Sequence, residues 1–148
     1  MPGLKESPPH APLPPADRAA LLARLADALS ARTDVAYAYA HGSFIEGLPF
    51  RDIDIAVARG GAGRDAPGDP LFWTSALADA LGPVAGYPVD VQVLDDAPLT
   101  FRSHVYQGTL LCAADEDRLG DDLESTAVAM CEFEVHRRRM TLDALGIP

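Results

Sequence analysis

Residues 38–59, AYAHGSFIEGLPFRDIDIAVAR, place two aspartates on a run that otherwise looks built for a core. Side chains alternate along a strand, so Asp52, Asp54 and Ala56 share one face of DIDIAVA while Ile53, Ile55 and Val57 share the other. One face is made for burial; the opposite one holds two carboxylates side by side. An isolated ionised carboxylate taken into a core costs several kcal/mol or more, so such a strand needs either solvent or a positive partner. A half-exposed strand with its polar residues outward would account for the two aspartates alone. The Gly42–Ser43 pair just upstream, at the end of VAYAYA, and a third aspartate further on favour the positive partner.

That third carboxylate is Asp90 in YPVDVQVL, where Val89, Val91 and Val93 alternate with Asp90 and Gln92. If its strand neighbours that of Asp52 and Asp54 with the same face up, three carboxylates converge. Carboxylate oxygens suit Mg²⁺, which takes its remaining ligands from water and substrate phosphates. Two such ions can brace the attacking and leaving oxygens of a displacement at phosphorus. A Gly-Ser turn opening into a helical turn offers backbone N–H groups and a hydroxyl to a phosphate tail.

The surrounding chain alternates helices with strands. ADRAALLARLADALSAR, starting near Ala16, sets Leu21, Leu22, Leu25 and Leu29 on one apolar face, with Asp17 in the first turn. VAYAYAHGS reads as a buried strand, and FIEGLPF as a loop or single helical turn. LFWTSALADALG reads as a helix closed by Gly82, with Phe72 and Trp73 in the core. PLTFRSHVYQG predicts a helix capped by Gly108, TLLCA a short strand, and residues 118–145 a long terminal helix. This pattern indicates an α/β (α+β) fold, a small mixed sheet flanked by helices. Residues 1–15 hold six prolines and read as an extended lead-in outside the core, leaving one domain over 16–148.

Composition narrows the function. A net charge of −10, from 22 acidic against 12 basic residues, opposes general binding to nucleic acid. No apolar run suits a membrane span and the N-terminus lacks a signal-peptide centre, so a cytoplasmic location is expected. Cys112 and Cys131 lack metal-site spacing and read as reduced thiols. GGAG at 60–63 lacks the Gly-Lys-Ser/Thr of a phosphate loop and reads as a connection. His41 reads as a structural histidine beside a strand end, with contact to phosphate or acceptor as the alternative. HRRRM at 136–140 is a dense basic patch on a helix surface.

AHGS at 40–43, DID at 52–54 and VDV at 89–91 together resemble the minimal nucleotidyltransferases of the DNA polymerase β-like superfamily, whose signature is a hydrophobic-Gly-Ser turn followed by Asp-x-Asp. FRSHVYQGTLLC and the long last helix resemble the MntA-type antitoxins that pair with HEPN-domain toxins, and the likeness spans about residues 16–140. The resemblance implies transfer of a nucleoside monophosphate, usually AMP from ATP, to a protein hydroxyl, with a tyrosine of the toxin as acceptor. It implies that Asp52 and Asp54 hold Mg²⁺, with two ions expected. Asp90 would complete the site and help deprotonate the incoming hydroxyl, and Gly42 with Ser43 would hold the β- and γ-phosphates. Arg51 stands where a serine commonly precedes the first aspartate, and two roles are open to it: reaching the triphosphate or pairing with a surface acid. Only eight residues, Phe44 to Arg51, separate Ser43 from Asp52, fewer than in most relatives. The alternatives are a binding module that neutralises a toxin without catalysis, and a small-molecule nucleotidyltransferase, disfavoured without a second substrate-binding domain.

Overall fold

In the computed structural model, which describes residues 8–61 and 69–148, the order is α1 (Pro15–Ser30), β1 (Val35–His41), β2 (Ile53–Arg59), α2 (Pro70–Ala85), β3 (Val89–Val93), α3 (Leu99–Val105), β4 (Thr109–Ala113) and α4 (Glu116–Ala144). The strands form one sheet in the order β3-β2-β1-β4. β1 runs antiparallel to both β2 and β4, whereas β2 and β3 are parallel, as the α2 crossover between them requires. The mixed α/β architecture expected from the sequence is present.

Two cores lie on opposite faces of the sheet. Leu21, Leu25 and Leu29 of α1, at four-residue spacing, join Leu77, Leu81 and Ala85 of α2 against Ile53, Ile55, Val57 and Val91. On the other side, Val105 of α3 and Leu119 of α4 pack on Tyr37, Tyr39, Ala56 and Ala58. Alternation along β2 therefore sends its branched residues to the first core and its small alanines, with the aspartates, to the second.

α1 begins with Pro15 in its first turn, where a missing N–H costs nothing, and Asp17 sits in that turn. Asp69 caps α2 by accepting from Leu71 N–H at 2.9 Å. Gly82 does not close this helix. The chain continues through Pro83 to Ala85 and stops at Gly86, whose φ of 77° supplies the left-handed turn and whose N–H donates to Gly82 O. Burial of Leu81 and Ala85 on the same stripe carries the helix past the Gly-Pro pair. Phe72 is likewise not core: it is 79% exposed, because the buried stripe Thr74, Leu77, Leu81 and Ala85 runs along the opposite side of α2. Trp73 is half-buried against the first core and donates its Nε1–H to Asp34 at 3.0 Å.

The proline-rich lead-in is also more engaged than expected. Residues 1–7 lie outside the described residues, as does the 62–68 part of the connection that contains GGAG. His10 and Phe50 exchange both backbone hydrogen bonds, at 2.7 and 3.1 Å, and Leu13 packs on the first core. The His10 ring also lies 5.4 Å from that of Phe50 and 5.0 Å from that of Tyr87. α4 runs 29 residues, about 43 Å at 1.5 Å per residue, and its buried residues, Leu119 and Thr126, fall in its first half. The 136–140 basic patch lies on its exposed remainder. Both cysteines are free thiols, and among the described residues no helix is long and apolar enough to cross a membrane.

Candidate active site

The register of the sheet assembles the acidic site. Asp54 on β2 lies directly across from Asp90 on β3 and, on its other side, from His41 on β1. Asp52 sits just before β2 begins, in the bend after Arg51. One carboxylate oxygen from each of Asp52, Asp54 and Asp90 lies within 4.8 Å of the others, so the three aspartates singled out in the sequence do converge. Asp52 and Asp54 are half-buried and Asp90 is exposed, a graded arrangement that opens to solvent on the β3 side.

Electrostatics report strain in this cluster. The Asp54 carboxyl is pushed above the ordinary carboxylate range, first by burial and then by the charge of Asp52; His41 opposes the rise and Asp90 adds to it. Like charges held this close are relieved either by a proton on one carboxyl or by a bound cation. An all-oxygen donor set of three carboxylates matches a hard divalent ion and offers nothing to a soft one. The residues present therefore fit Mg²⁺.

A turn places the phosphate-binding candidates beside the acids. β1 ends at His41, and Gly42 turns the chain with φ 83°. A Cβ at Gly42 would overlap Asp54 Oδ2, so glycine is required both by the backbone and by the neighbouring carboxylate. Ser43 is exposed, and one helical turn follows, closed by Glu46 N–H to Gly42 O at 3.1 Å and Leu48 N–H to Ser43 O at 3.0 Å. The short Ser43–Asp52 loop is fastened from below. Phe44 and Phe50 are buried with rings 4.9 Å apart, and Tyr87 meets Phe50 edge-on at 5.1 Å. Phe50, two residues before Asp52, anchors the start of the acidic strand. Arg51 is exposed at that bend.

Two residues belong to the site that motif matching did not select. Gln92 donates its Nε2–H to Asp90 Oδ2, and its Oε1 accepts from His41 Nε2 at 3.0 Å. His41 is buried at 7% exposure and is enclosed by the rings of Phe101 and His104 on α3, at 5.6 and 5.8 Å. His41 is thus structural, as read from the sequence, but what it supports is the third carboxylate. The alternation of VDVQV already put Gln92 on the face of Asp90; that shared face was the available signal.

The family model for polymerase beta, nucleotidyltransferase, matches residues 23–117, well over half of the chain. No curated protein sequence matches at a significant level. Among solved structures, the chain is similar to an MntA toxin–antitoxin double mutant, with 21% identity, a TM-score of 0.58, and 86% of this chain and 98% of that chain covered. It is also similar to a Shewanella oneidensis structure of a tri-AMPylated HEPN toxin in complex with MNT antitoxin, at 19% identity, a TM-score of 0.55, and 88% and 97% coverage. A toxin–antitoxin structure with AMP-PNP gives 20% identity, a TM-score of 0.56, and 89% and 99% coverage. At such identities the structural likeness speaks for the fold. The family match over residues 23–117, with the fold shared by these structures, establishes that the chain belongs to the polymerase beta nucleotidyltransferase family.

Proposed function

We propose that this chain is a Mg²⁺-dependent protein adenylyltransferase that acts as an antitoxin, transferring AMP from ATP to a tyrosine of a HEPN-type toxin in the cytoplasm. The observation that carries this reading is the convergence of Asp52, Asp54 and Asp90 within 4.8 Å, next to the Gly42 turn. The named complexes among the structural neighbours, one with an AMPylated HEPN toxin and one with AMP-PNP, support it.

In this reading Asp52 and Asp54 hold two Mg²⁺ ions with Asp90 as a further ligand, and the ions, when bound, neutralise charge on the phosphates. The Gly42–Ser43 turn binds the β- and γ-phosphates through N–H groups and the exposed hydroxyl, and Arg51 at the mouth of the site reaches the triphosphate. Asp90 takes the proton of the incoming tyrosine hydroxyl. The tyrosine oxygen then bonds to the α-phosphorus while the bond from that phosphorus to the bridging oxygen breaks, releasing pyrophosphate. Positioning and charge neutralisation supply the catalysis, and no covalent intermediate on the protein is needed.

The test is incubation with Mg²⁺, ATP labelled on the α-phosphate and a co-encoded HEPN-type partner, with Asp52→Ala/Asp54→Ala as control. Label on a partner tyrosine that disappears with the double variant is the expected result. Neutralisation of the toxin without label, surviving in the double variant, would overturn catalysis in favour of neutralisation by binding alone.

A further inference from the structure

A cavity of about 540 Å³ opens on the same sheet face as the aspartates, but toward the other end of β2. Ala58 on its wall lies four residues beyond Asp54, or about 13 Å along the strand. α3 borders both places: Phe101 and His104 face His41, whereas Arg102 and Tyr106 line the cavity. The volume falls in the range of small-molecule sites, roughly 300–1,000 Å³, and far exceeds the space of a single water.

The charges around it do not close among themselves. Asp95 is claimed twice, by Arg118 at one oxygen and by the backbone N–H of Arg59, at 3.0 Å, and its Nε at the other. Asp122 accepts from the Tyr37 hydroxyl at 2.7 Å and pairs with Arg118 Nε at 3.7 Å. Tyr37 and Tyr106 share a further hydrogen bond of 2.7 Å. The remaining acid of the wall, Asp96, is at the exposed rim. The side chain of Arg102, alone among the three arginines, has neither hydrogen bond nor ion pair with any described residue, and its Nε is shut off from solvent without an acceptor.

A buried donor without an acceptor is rare and costly, and a guanidinium fork is best satisfied by two oxygens of one oxyanion. Arg102 lines the cavity, which puts its guanidinium at the wall where a ligand would sit. We propose that this cavity is a second binding site, for the phosphate or carboxylate group of a small molecule up to mononucleotide size, with Arg102 as its anchor. The site is separate from the aspartate cluster and does not depend on the reaction assigned to that cluster.

The test uses the full chain carrying Asp52→Asn/Asp54→Asn, without divalent ions, so that the aspartate cluster does not report. Inorganic phosphate, AMP and citrate are titrated separately while the arginine Nε–Hε and backbone amide signals are followed by NMR. A saturable shift of the Arg102 Nε–Hε signal with at least one probe is expected, and the responding probes separate a phosphate source from a carboxylate one. Arg102→Gln should weaken that binding at least about tenfold, as loss of a bidentate charge-assisted pair implies. Arg102→Lys, which keeps the charge but not the fork, gives the same reading should the glutamine variant fail to fold. No saturable shift with any probe, or equal affinity in the variants, would overturn the proposal.

Discussion

His41 Nε2 and Gln92 Oε1 lie 3.0 Å apart across three strands, and the Gln92 amide passes that connection on to Asp90. Asp90, the exposed carboxylate of the cluster, is held by a glutamine that is itself held by a buried ring. Partners that orient a ligating carboxylate typically matter 10–100-fold in metal affinity or activity. Gln92→Ala should therefore lower nucleotidyl transfer by roughly 10–100-fold and, by leaving the buried His41 Nε2–H without its acceptor, lower the thermal transition as well. Steady-state transfer and a melting curve on the same preparation check this; unaltered transfer would remove Gln92 from the site.

Asp54 makes the metal-free protein less stable than it need be. Its folded-state pKa is raised, chiefly by burial, so the native state holds its proton more tightly than the unfolded chain does. Its contribution is thus most favourable at acid pH and declines as pH climbs from the ordinary carboxylate range through the raised value. Asp54→Asn should raise the melting temperature at neutral pH in the presence of a chelator, by a few degrees, and flatten this part of the pH dependence. Adding Mg²⁺ should stabilise the wild type and leave the variant unmoved. Calorimetry with and without the ion distinguishes the two.

Gly42→Ala should damage both fold and site. The position has φ 83°, and the new methyl would collide with Asp54 Oδ2. A left-handed backbone on a residue other than glycine costs on the order of 1–3 kcal/mol, and relief of the collision must displace a carboxylate of the cluster. Expected are a lower denaturant midpoint and loss of Mg²⁺ binding by titration. A variant that binds Mg²⁺ as the wild type does would contradict the geometry described.

Tyr37→Phe probes the far end of the same sheet face. Tyr37 is fully buried and its hydroxyl bonds both Tyr106 and Asp122. Its removal takes a donor from Asp122, which stays about a third exposed and keeps Arg118, so the cost should be about 1 kcal/mol by chemical denaturation. Transfer at the aspartate cluster should persist at a temperature where the variant is folded.

Much of this was legible before any coordinates. Alternation in DIDIAVA and VDVQV put the carboxylates on matching faces, and the structure pairs Asp54 with Asp90. What the sequence did not contain was the register that chooses which residues stand opposite, a property of the whole sheet. Local rules also failed where tertiary packing outvoted them. Gly82 looked like a stop, yet burial of Leu81 and Ala85 carried α2 on to Gly86. His10 looked like part of a loose leader, yet its backbone pairs with that of Phe50 in an isolated bridge. The role of Gln92 went unassigned because a polar residue alternating in a strand is ordinary until its neighbours are known.

The parallel pairing of β2 and β3 ties chemistry to folding. Asp54 and Asp90 become neighbours only after α2 has crossed over and the two strands have locked in step; a slip of one residue would turn Asp90 to the opposite side of the sheet. The acidic cluster therefore exists only where β2 and β3 are paired in this register. Fidelity of that one strand pairing is thus a requirement for three carboxylates to meet at all.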